Sequence, residues 1–191
     1  MMTFSKQTPI IFIFLFLFTT VSYAQKRETA KANITTLKNG ALFVRLKTSQ
    51  LKIDGLKKMG KEKEAEEIRV NQENTNKAIV AAFKGYFDFC PVYFFYSNYS
   101  NEVKEGNYKG LIMDVNMETN SSFDSKNYLI GEFDESSNTQ IDAFIIKDKN
   151  YVQLKKPFPF YVKAYQMGIT TRPYREVVFI LNKRFFEFYN K

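Results

Sequence analysis

The stretch AIVAAFKGYFDFCPVYFFY, residues 78–96, contains the end of one regular element and the start of another. From Lys61 to Tyr86, apolar residues recur every three or four positions and become more frequent towards the end, which is the pattern of an amphipathic helix. Pro91 then opens the run 92–96, in which every side chain is β-branched or aromatic. The stretch therefore predicts a long helix followed by a central β-strand.

Upstream of the helix, the apolar run 41–46 predicts another strand. It is preceded by Asn39-Gly40, a dipeptide that favours a type I′ turn between two antiparallel strands. We therefore expect residues 34–37 to form the partner strand of a hairpin.

A shorter helix is expected between that strand and the long helix. Thr48 or Ser49 can cap its N-terminus, and Gly60 can end it. The apolar side chains expected on its buried side are Leu51, Leu56 and Met59.

Downstream, apolar and alternating runs predict further strands. In residues 111–118, apolar and polar side chains alternate, which is typical of a strand with one exposed face. The predicted strands are 111–118, 128–133, 141–146, 151–154, which follows a turn at 147–150, and 177–181. Periodicity does not distinguish a helix from a strand over residues 182–189.

These elements predict an α+β (or α/β) fold. We expect a single mixed β-sheet of five to seven strands, with the two N-terminal helices packed on one face. No repeat or linker divides the chain, so residues 25–191 are expected to form one globular domain.

The N-terminus has the composition of a secretory signal peptide. Lys6 precedes the apolar run 10–18, and small residues at 22 and 24 suit a cleavage site. We expect residues 1–24 to be removed and residues 25–33 to form a flexible polar tail. The sequence thus predicts an exported protein, periplasmic or secreted, without a transmembrane segment in its mature chain.

Composition excludes several kinds of catalysis. The chain has no histidine and a single cysteine, which removes Ser–His and Cys–His hydrolases, zincins, thiolate zinc sites and Cys-x-x-Cys redox pairs. It also has no Gly-x-Gly-x-x-Gly sequence and no P-loop. We expect no cofactor and no metal, and favour a protein that is not an enzyme.

The cysteine, Cys90, lies where the long helix gives way to the aromatic strand. An unpaired cysteine in an oxidising compartment can act as a reactive or intermolecular thiol. The favoured interpretation is a small buried apolar residue at this junction.

Two groups of carboxylates could carry chemistry. The pattern Asp114-x-Asn116-x-Glu118 resembles part of a calcium loop, but the glycine and final glutamate of that loop are missing. A glycosidase needs only two carboxyl groups, and four acids lie close together in sequence: Glu132, Asp134, Glu135 and Asp142. The polar face of a strand explains the first group better than a calcium loop does, and any acidic hairpin would resemble the second group.

Charge changes sign abruptly within the chain. Residues 101–148 contain ten acidic and four basic residues, whereas residues 149–175 contain six basic residues, six aromatic rings and no acid. The basic segment has two interpretations: either it packs its rings inward and neutralises the acidic hairpins of residues 101–148, or it forms a loop that binds an anion or glycan. The residues expected to contact such a ligand are Lys155, Lys156, Tyr161, Lys163, Tyr165, Arg172 and Arg175.

The order of strand, helices, Cys90-Pro91 junction, aromatic strand and late hairpin, residues 143–154 around Asp148-Lys149-Asn150, loosely resembles the thioredoxin fold. The paired cysteines that define that family are absent. The resemblance therefore implies a fold and leaves thiol oxidoreductase activity without its reacting groups.

Together these features predict an exported binding or accessory module of the cell envelope. Its partner is expected to be an anionic component, either a lipid headgroup, a glycan or a protein, and no nucleic acid is expected in that compartment. The alternatives are a thioredoxin-like fold without the cysteine pair and a hydrolase that works through carboxylates.

Overall fold

The computed structural model describes residues 25–135, 141–166 and 170–191. Its helices are α1 (residues 25–38), α2 (Gln50–Lys58), α3 (Glu62–Tyr86), α4 (Ser100–Glu105) and α5 (Tyr174–Tyr189). Its strands are β1 (Ala41–Leu46), β2 (Val92–Tyr96), β3 (Tyr128–Glu135), β4 (Asp142–Lys147), β5 (Tyr161–Lys163), β6 (Tyr165–Gln166) and β7 (Thr170–Thr171).

Five strands form one mixed sheet in the order β2-β1-β3-β4-β5, and β6 and β7 form a separate two-stranded ribbon. β1 runs parallel to β2 and β3, whereas β4 runs antiparallel to both of its neighbours. The predicted α+β fold with a single mixed sheet of five strands is confirmed. Because β1 and β3 are parallel, their carboxyl ends meet at the same edge of the sheet.

One face of the sheet is covered by α1, α3 and α5. Phe83 of α3 is fully buried, and its ring lies 5.4 Å from that of Phe144 on β4. Burial of a phenylalanine of this kind contributes about 2–3 kcal/mol. On α5, Val177, Leu181 and Phe185 belong to the same core cluster.

The opposite face carries a smaller aromatic cluster beneath α4. The rings of Phe43 and Tyr128 stack with their centroids 4.4 Å apart. The buried hydroxyl of Tyr128 donates to the carbonyl oxygen of Val103, 2.8 Å away, which ties α4 to the sheet.

The long helix and the two central hairpin strands agree with the sequence. α3 begins at Glu62 and ends at Tyr86, and its buried residues lie mostly in its C-terminal half, as predicted. β3 includes the predicted run 128–133, and β4, which begins at Asp142, covers the predicted run 141–146 except for its first residue.

α2 was predicted correctly in position but wrongly in orientation. Gly60, at φ 72°, lies just after its end. Ile53 is its buried residue, whereas Leu51 is 92 % exposed and Met59 is also exposed. Ser49 does not cap the helix, because its hydroxyl donates to Oε1 of Gln72 at 2.7 Å and so fastens α2 to α3.

The predicted hairpin around Asn39-Gly40 was wrong, and so was the tail over residues 25–33. Residues 25–38 are helical, and Ala30, Ile34 and Leu37 are buried at helical spacing. Gly40 is required for close packing against residue 127 and not for the predicted type I′ turn. A Cβ at this position would lie 1.8 Å from the carbonyl oxygen of Asn127, so only glycine allows this approach.

The prediction of a strand over residues 177–181 was also wrong. These residues form part of α5, which continues through residues 182–189 and so answers the open question there. The run is apolar throughout and rich in β-branched residues, which mimics a buried strand. Helical packing nevertheless buries Val177, Val178 and Leu181 and leaves Phe179 exposed.

The aromatic strand is an edge strand, contrary to the prediction of a central one. β2 is the first strand in the sheet order, and its outer side is met by Met113, which exchanges two 2.8 Å backbone hydrogen bonds with Phe94. Residues 111–118 form this bridge and a turn, so the predicted strand was wrong.

The chain turns at residues 148–151, one residue later than the predicted turn at 147–150. The amide of Tyr151 donates to the carbonyl oxygen of Asp148 at 3.0 Å, and Asp148 Oδ1 accepts from the amides of Asn150 and Val152. Beyond the turn, residues 151–154 make a single bridge through Gln153 rather than a strand.

Across the described ranges, no helix combines the length and the apolar character needed to cross a membrane.

Candidate functional site

Within the basic aromatic segment, residues 149–175, the phenylalanines are buried and the neighbouring lysines are exposed. Phe158 and Phe160 are buried in the main core, where the ring of Phe158 lies 5.9 Å from that of Phe185 on α5. The half-buried ring of Tyr161 packs against Phe160 at 4.7 Å. Lys155 and Lys156 are exposed. The rings therefore anchor the segment, and the lysines are left in solvent.

Two arginines lie along the seam between β5 and α5. Arg184 Nη1 donates to the carbonyl oxygen of Tyr161 at 2.8 Å, and Arg172 Nη1 donates to that of Lys163 at 3.2 Å. Successive carbonyls of a strand point in alternate directions. The carbonyl oxygen of Phe160 accepts from the amide of Ile146 on β4, so the carbonyls of residues 161 and 163 point away from β4. We give the name basic strip to these two arginines together with the exposed lysines of the segment, namely Lys155, Lys156 and Lys163.

Three other residues of the basic segment are not part of the basic strip: Arg175, Tyr165 and Lys149. Arg175 is exposed, but it is nine residues from Arg184, which places it on the opposite side of α5 at about 3.6 residues per turn. The side chain of Tyr165 lies outside what the structure describes. Lys149 Nζ lies over the ring of Tyr128, 5.0 Å from its centroid. The structure thus does not bring the whole predicted contact set together.

Arg184 was not among the contact residues predicted from the sequence. Its position on the strip depends on residues 182–189 being helical, and periodicity did not distinguish helix from strand there. With α5 in place, Arg184 is the helix residue that reaches β5.

The acids of the preceding segment pair mainly with other cations. Asp124 pairs with Lys109 at 3.1 Å, and Asp134 pairs with Lys47 at 3.2 Å. Neither cation belongs to residues 149–175, so these pairs do not support the idea that the basic segment serves to neutralise the acidic hairpins.

Glu132 is the buried carboxylate of the candidate acid group. It is 2 % exposed and lies between Arg45, whose Nη1 is 2.6 Å from Oε2, and Lys147, which contacts Oε1. Both carboxylate oxygens are therefore occupied by cations. This arrangement gives Glu132 a structural role at the centre of an ion cluster.

The other acids of the group do not form a general acid with it. Burial alone would raise the pKa of Asp134, but Lys47, the amide of Glu135 and Lys147 together lower the pKa below its usual value. A glycosidase acid requires a pKa shift in the opposite direction. Glu135 and Asp142 are exposed.

The Asp114 loop is an Asx turn. Asp114 Oδ1 accepts from the amides of Asn116 at 2.8 Å and Glu118 at 3.0 Å. Chiefly because of the bond from the Glu118 amide, the pKa of Asp114 is lowered. Among the described residues, no group of three acidic, cysteine or histidine side chains is placed to hold a metal ion.

Cys90 is buried where the segment after α3 meets β2. Burial raises the pKa of its thiol to about 12, although a backbone hydrogen bond from Leu42 and the charge of Lys38 act in the other direction. At neutral pH the group is therefore a protonated thiol, and thiolate is the reactive form. The geometry favours the structural interpretation of this residue.

A cleft of about 420 Å³ opens at the carboxyl ends of β1 and β3. We call it the strand-end cleft. One wall is the middle of α3, residues 68–79, and the other is formed by the chain around β7 and the start of α5. Its lining residues include Arg45, Lys47, Asn71, Gln72, Thr75, Asn76, Phe133, Asp134, Asp142, Thr171, Arg172 and Tyr174.

An amide chain fixes the α3 wall of this cleft. Ser49 donates to Gln72, Gln72 donates to Asn76 at 3.2 Å, and Asn76 donates to the carbonyl oxygen of Lys47 at 2.9 Å. Asn76 is buried, so this last bond satisfies a group that would otherwise be costly to bury. The side chains on this wall are thereby held in place.

Comparisons of the chain with protein-family models, with curated proteins and with solved structures found no match, so the loose resemblance to the thioredoxin fold gains no support from them and the function must be argued from the geometry.

Proposed function

We propose that this protein is an exported, non-enzymatic binding module of the cell envelope, and that the basic strip contacts an anionic envelope component. The partner presents phosphate or carboxylate groups, as lipid headgroups and acidic glycans do. Contact is made by the lysines at one end of the strip and by the arginines along the β5–α5 seam.

A single observation supports this proposal above the others. Phe158 and Phe160 of the basic segment are buried in the core, while Lys155, Lys156 and Lys163 are exposed and make no side-chain ion pair or hydrogen bond within the described residues. Because the buried rings hold the backbone in place, the binding of an anion by these unpaired cations costs little backbone conformational freedom.

The enzymatic alternatives lack available reacting groups. Glu132 is held by two cations, and the pKa of Asp134 is lowered rather than raised. Cys90 is buried and protonated at neutral pH. These three facts favour binding over hydrolysis or thiol chemistry.

The test is co-sedimentation of the protein with anionic and with zwitterionic liposomes and with isolated envelope fractions, at low and high salt. We expect retention on the anionic liposomes and envelope fractions that falls steeply as salt rises, because salt screens exposed charges. Reversal of two charges in Lys155→Glu with Lys156→Glu should remove the retention.

Lys57→Glu with Lys58→Glu is a matched control, because it also reverses two adjacent exposed lysines. This control should keep most of the binding. Equal loss in both double variants would mean that only net charge matters, and retention unaffected by Lys155→Glu with Lys156→Glu would overturn the proposed surface.

Export is tested separately. We expect expression of the whole chain in a Gram-negative host to give an extracytoplasmic protein whose intact mass lacks residues 1–24 and whose N-terminus is Gln25. A cytoplasmic product that retains those residues would contradict this part of the proposal.

A further inference from the structure

We infer that the strand-end cleft binds a neutral saccharide of one or two rings. This site contains none of the lysines on which the proposed function rests, and Arg172 is the residue that it shares with the basic strip. Four features of the cleft lead to this ligand class: its position, its polar wall, its aromatic wall and its charge balance.

The position and size of the cleft suit a small ligand. In sheets with parallel strands, ligands bind beyond the carboxyl ends of the strands, and here β1 and β3 end together at the cleft. Its volume of about 420 Å³ lies in the lower part of the range of ligand pockets, about 300–1,000 Å³. A ligand of one or two sugar rings matches that space better than a polymer segment.

The α3 wall offers both donors and acceptors. Asn71, Gln72, Thr75 and Asn76 recur at helical spacing along the cleft. Gln72 and Asn76 are fixed by the amide chain, whereas the side chains of Asn71 and Thr75 make no hydrogen bond within the described part of the chain. An amide and a hydroxyl can each donate and accept. A ligand rich in hydroxyl groups can pair with both Asn71 and Thr75, because every hydroxyl also donates and accepts.

The opposite wall contributes an apolar surface. Tyr174 lines the cleft, and its ring meets that of Phe133 edge to face, with centroids 4.8 Å apart and planes at 75°. The pair holds the tyrosine ring in a fixed orientation. A sugar ring carries hydroxyls at its edge and C–H groups on its face, so it can bond to the α3 wall while its face packs against an aromatic ring.

The three cations that line the cleft each lie close to a carboxylate. Arg45 is 2.6 Å from Glu132, Lys47 is 3.2 Å from Asp134, and Arg172 Nε is 3.0 Å from Glu176. An anionic ligand would have to compete with these carboxylates for their cations. A neutral ligand can use the outer oxygen and nitrogen atoms of the pairs without separating them.

The test is isothermal titration calorimetry of the protein with a panel of neutral probes, namely glucose, galactose, mannose, N-acetylglucosamine and their β-linked disaccharides. Glucuronic acid and glucose 6-phosphate serve as charged counterparts. We expect at least one neutral sugar to bind with little dependence on salt, and to bind more tightly than its charged counterpart.

Variants locate the binding in the cleft. Thr75→Val keeps the shape of the side chain and removes its hydroxyl, and Asn71→Ala removes an exposed amide; each should weaken binding about 5- to 10-fold, the loss expected for one good hydrogen bond. Asn74→Ala is the matched control, because Asn74 is an exposed asparagine of the same helix that does not line the cleft, and it should bind as the unchanged protein does.

Absence of binding across the panel, preference for the charged sugars, or binding that both Thr75→Val and Asn71→Ala leave unchanged would overturn the inference. Lys155→Glu with Lys156→Glu should leave sugar binding intact. The saccharide site and the proposed anionic surface can therefore fail independently of each other.

Discussion

Arg184 Nη1 donates to the carbonyl oxygen of Tyr161 at 2.8 Å, and so occupies a backbone acceptor on the outer side of the edge strand β5. Arg172 does the same for Lys163 two residues further along. An edge strand with free carbonyls is a template for pairing with another chain. At this edge, the guanidinium groups of Arg184 and Arg172 occupy carbonyl oxygens to which a sixth strand could otherwise bind.

We expect Arg184→Ala to promote self-association through β5. It removes one hydrogen bond, worth about 0.5–1.5 kcal/mol of folding stability, and leaves an outward carbonyl open. Sedimentation velocity at increasing protein concentration should detect dimers or larger species. Lys183→Ala, on the same helix and also exposed, is the control; a variant Arg184→Ala that stays as monodisperse as this control would contradict the capping role.

Gly40→Ala should strongly destabilise the fold. Its new methyl group would lie 1.8 Å from the carbonyl oxygen of Asn127, which forces β1 away from the chain that leads into β3. Gly55→Ala is the matched comparison, since its Cβ would meet nothing within 4 Å inside α2. We expect this second change to raise the free energy of unfolding by about 0.5–1 kcal/mol, as alanine is the better helix former. Urea denaturation measures both.

Glu132→Gln should lower the free energy of unfolding by about 3 kcal/mol, because it leaves the partly buried cations Arg45 and Lys147 without their carboxylate. Glu135→Gln, on the same strand but exposed, should change little. If Glu132→Gln were as stable as the control, the three-residue ion cluster would have no structural importance.

Cys90 should make the protein lose stability in alkaline solution. Its pKa rises from 9.0 to about 12 on burial, so the folded state keeps a proton that the unfolded state releases. The stabilisation is complete below pH 9 and is lost as the pH rises towards 12, with a slope of about 1.4 kcal/mol per pH unit.

The measurement is urea denaturation of the unchanged protein and of Cys90→Ala between pH 8 and pH 11. The alanine variant should start less stable and show a shallower decline. Parallel curves would mean that the thiol titrates normally, and rapid reaction of the native protein with a thiol reagent at neutral pH would point to the same conclusion.

Periodicity predicted the elements that bury one face. The apolar residues of α3 recur at helical spacing, and β3 and β4 are apolar runs bounded by polar loops, so all three were placed from sequence. α5 was not, because Val177, Val178 and Ile180 carry the side chains of a buried strand while the fold uses them in a helix. Tertiary packing determined the structure there, and local preference did not.

The candidate site was predicted only in part, for the same reason. The lysines of the basic strip follow from composition. Once α5 is helical, however, Arg184 contacts β5, and Arg175, which was the predicted contact residue, lies on the opposite side of the helix. The strand-end cleft draws its lining from segments far apart in sequence, among them Asn71 and Tyr174. No local pattern joins such residues before the sheet is assembled.

The aromatic cluster beneath α4 gives the molecule an optical reporter of its own. The chain has no tryptophan, so tyrosine dominates its near-ultraviolet absorption. Tyr93, Tyr108, Tyr128 and Tyr151, whose pKa values burial raises, all belong to this cluster or pack against it. Phenolate absorption that appears only above the usual tyrosine pKa of about 10 would therefore report the exposure of this aromatic cluster to solvent, and no added label is needed.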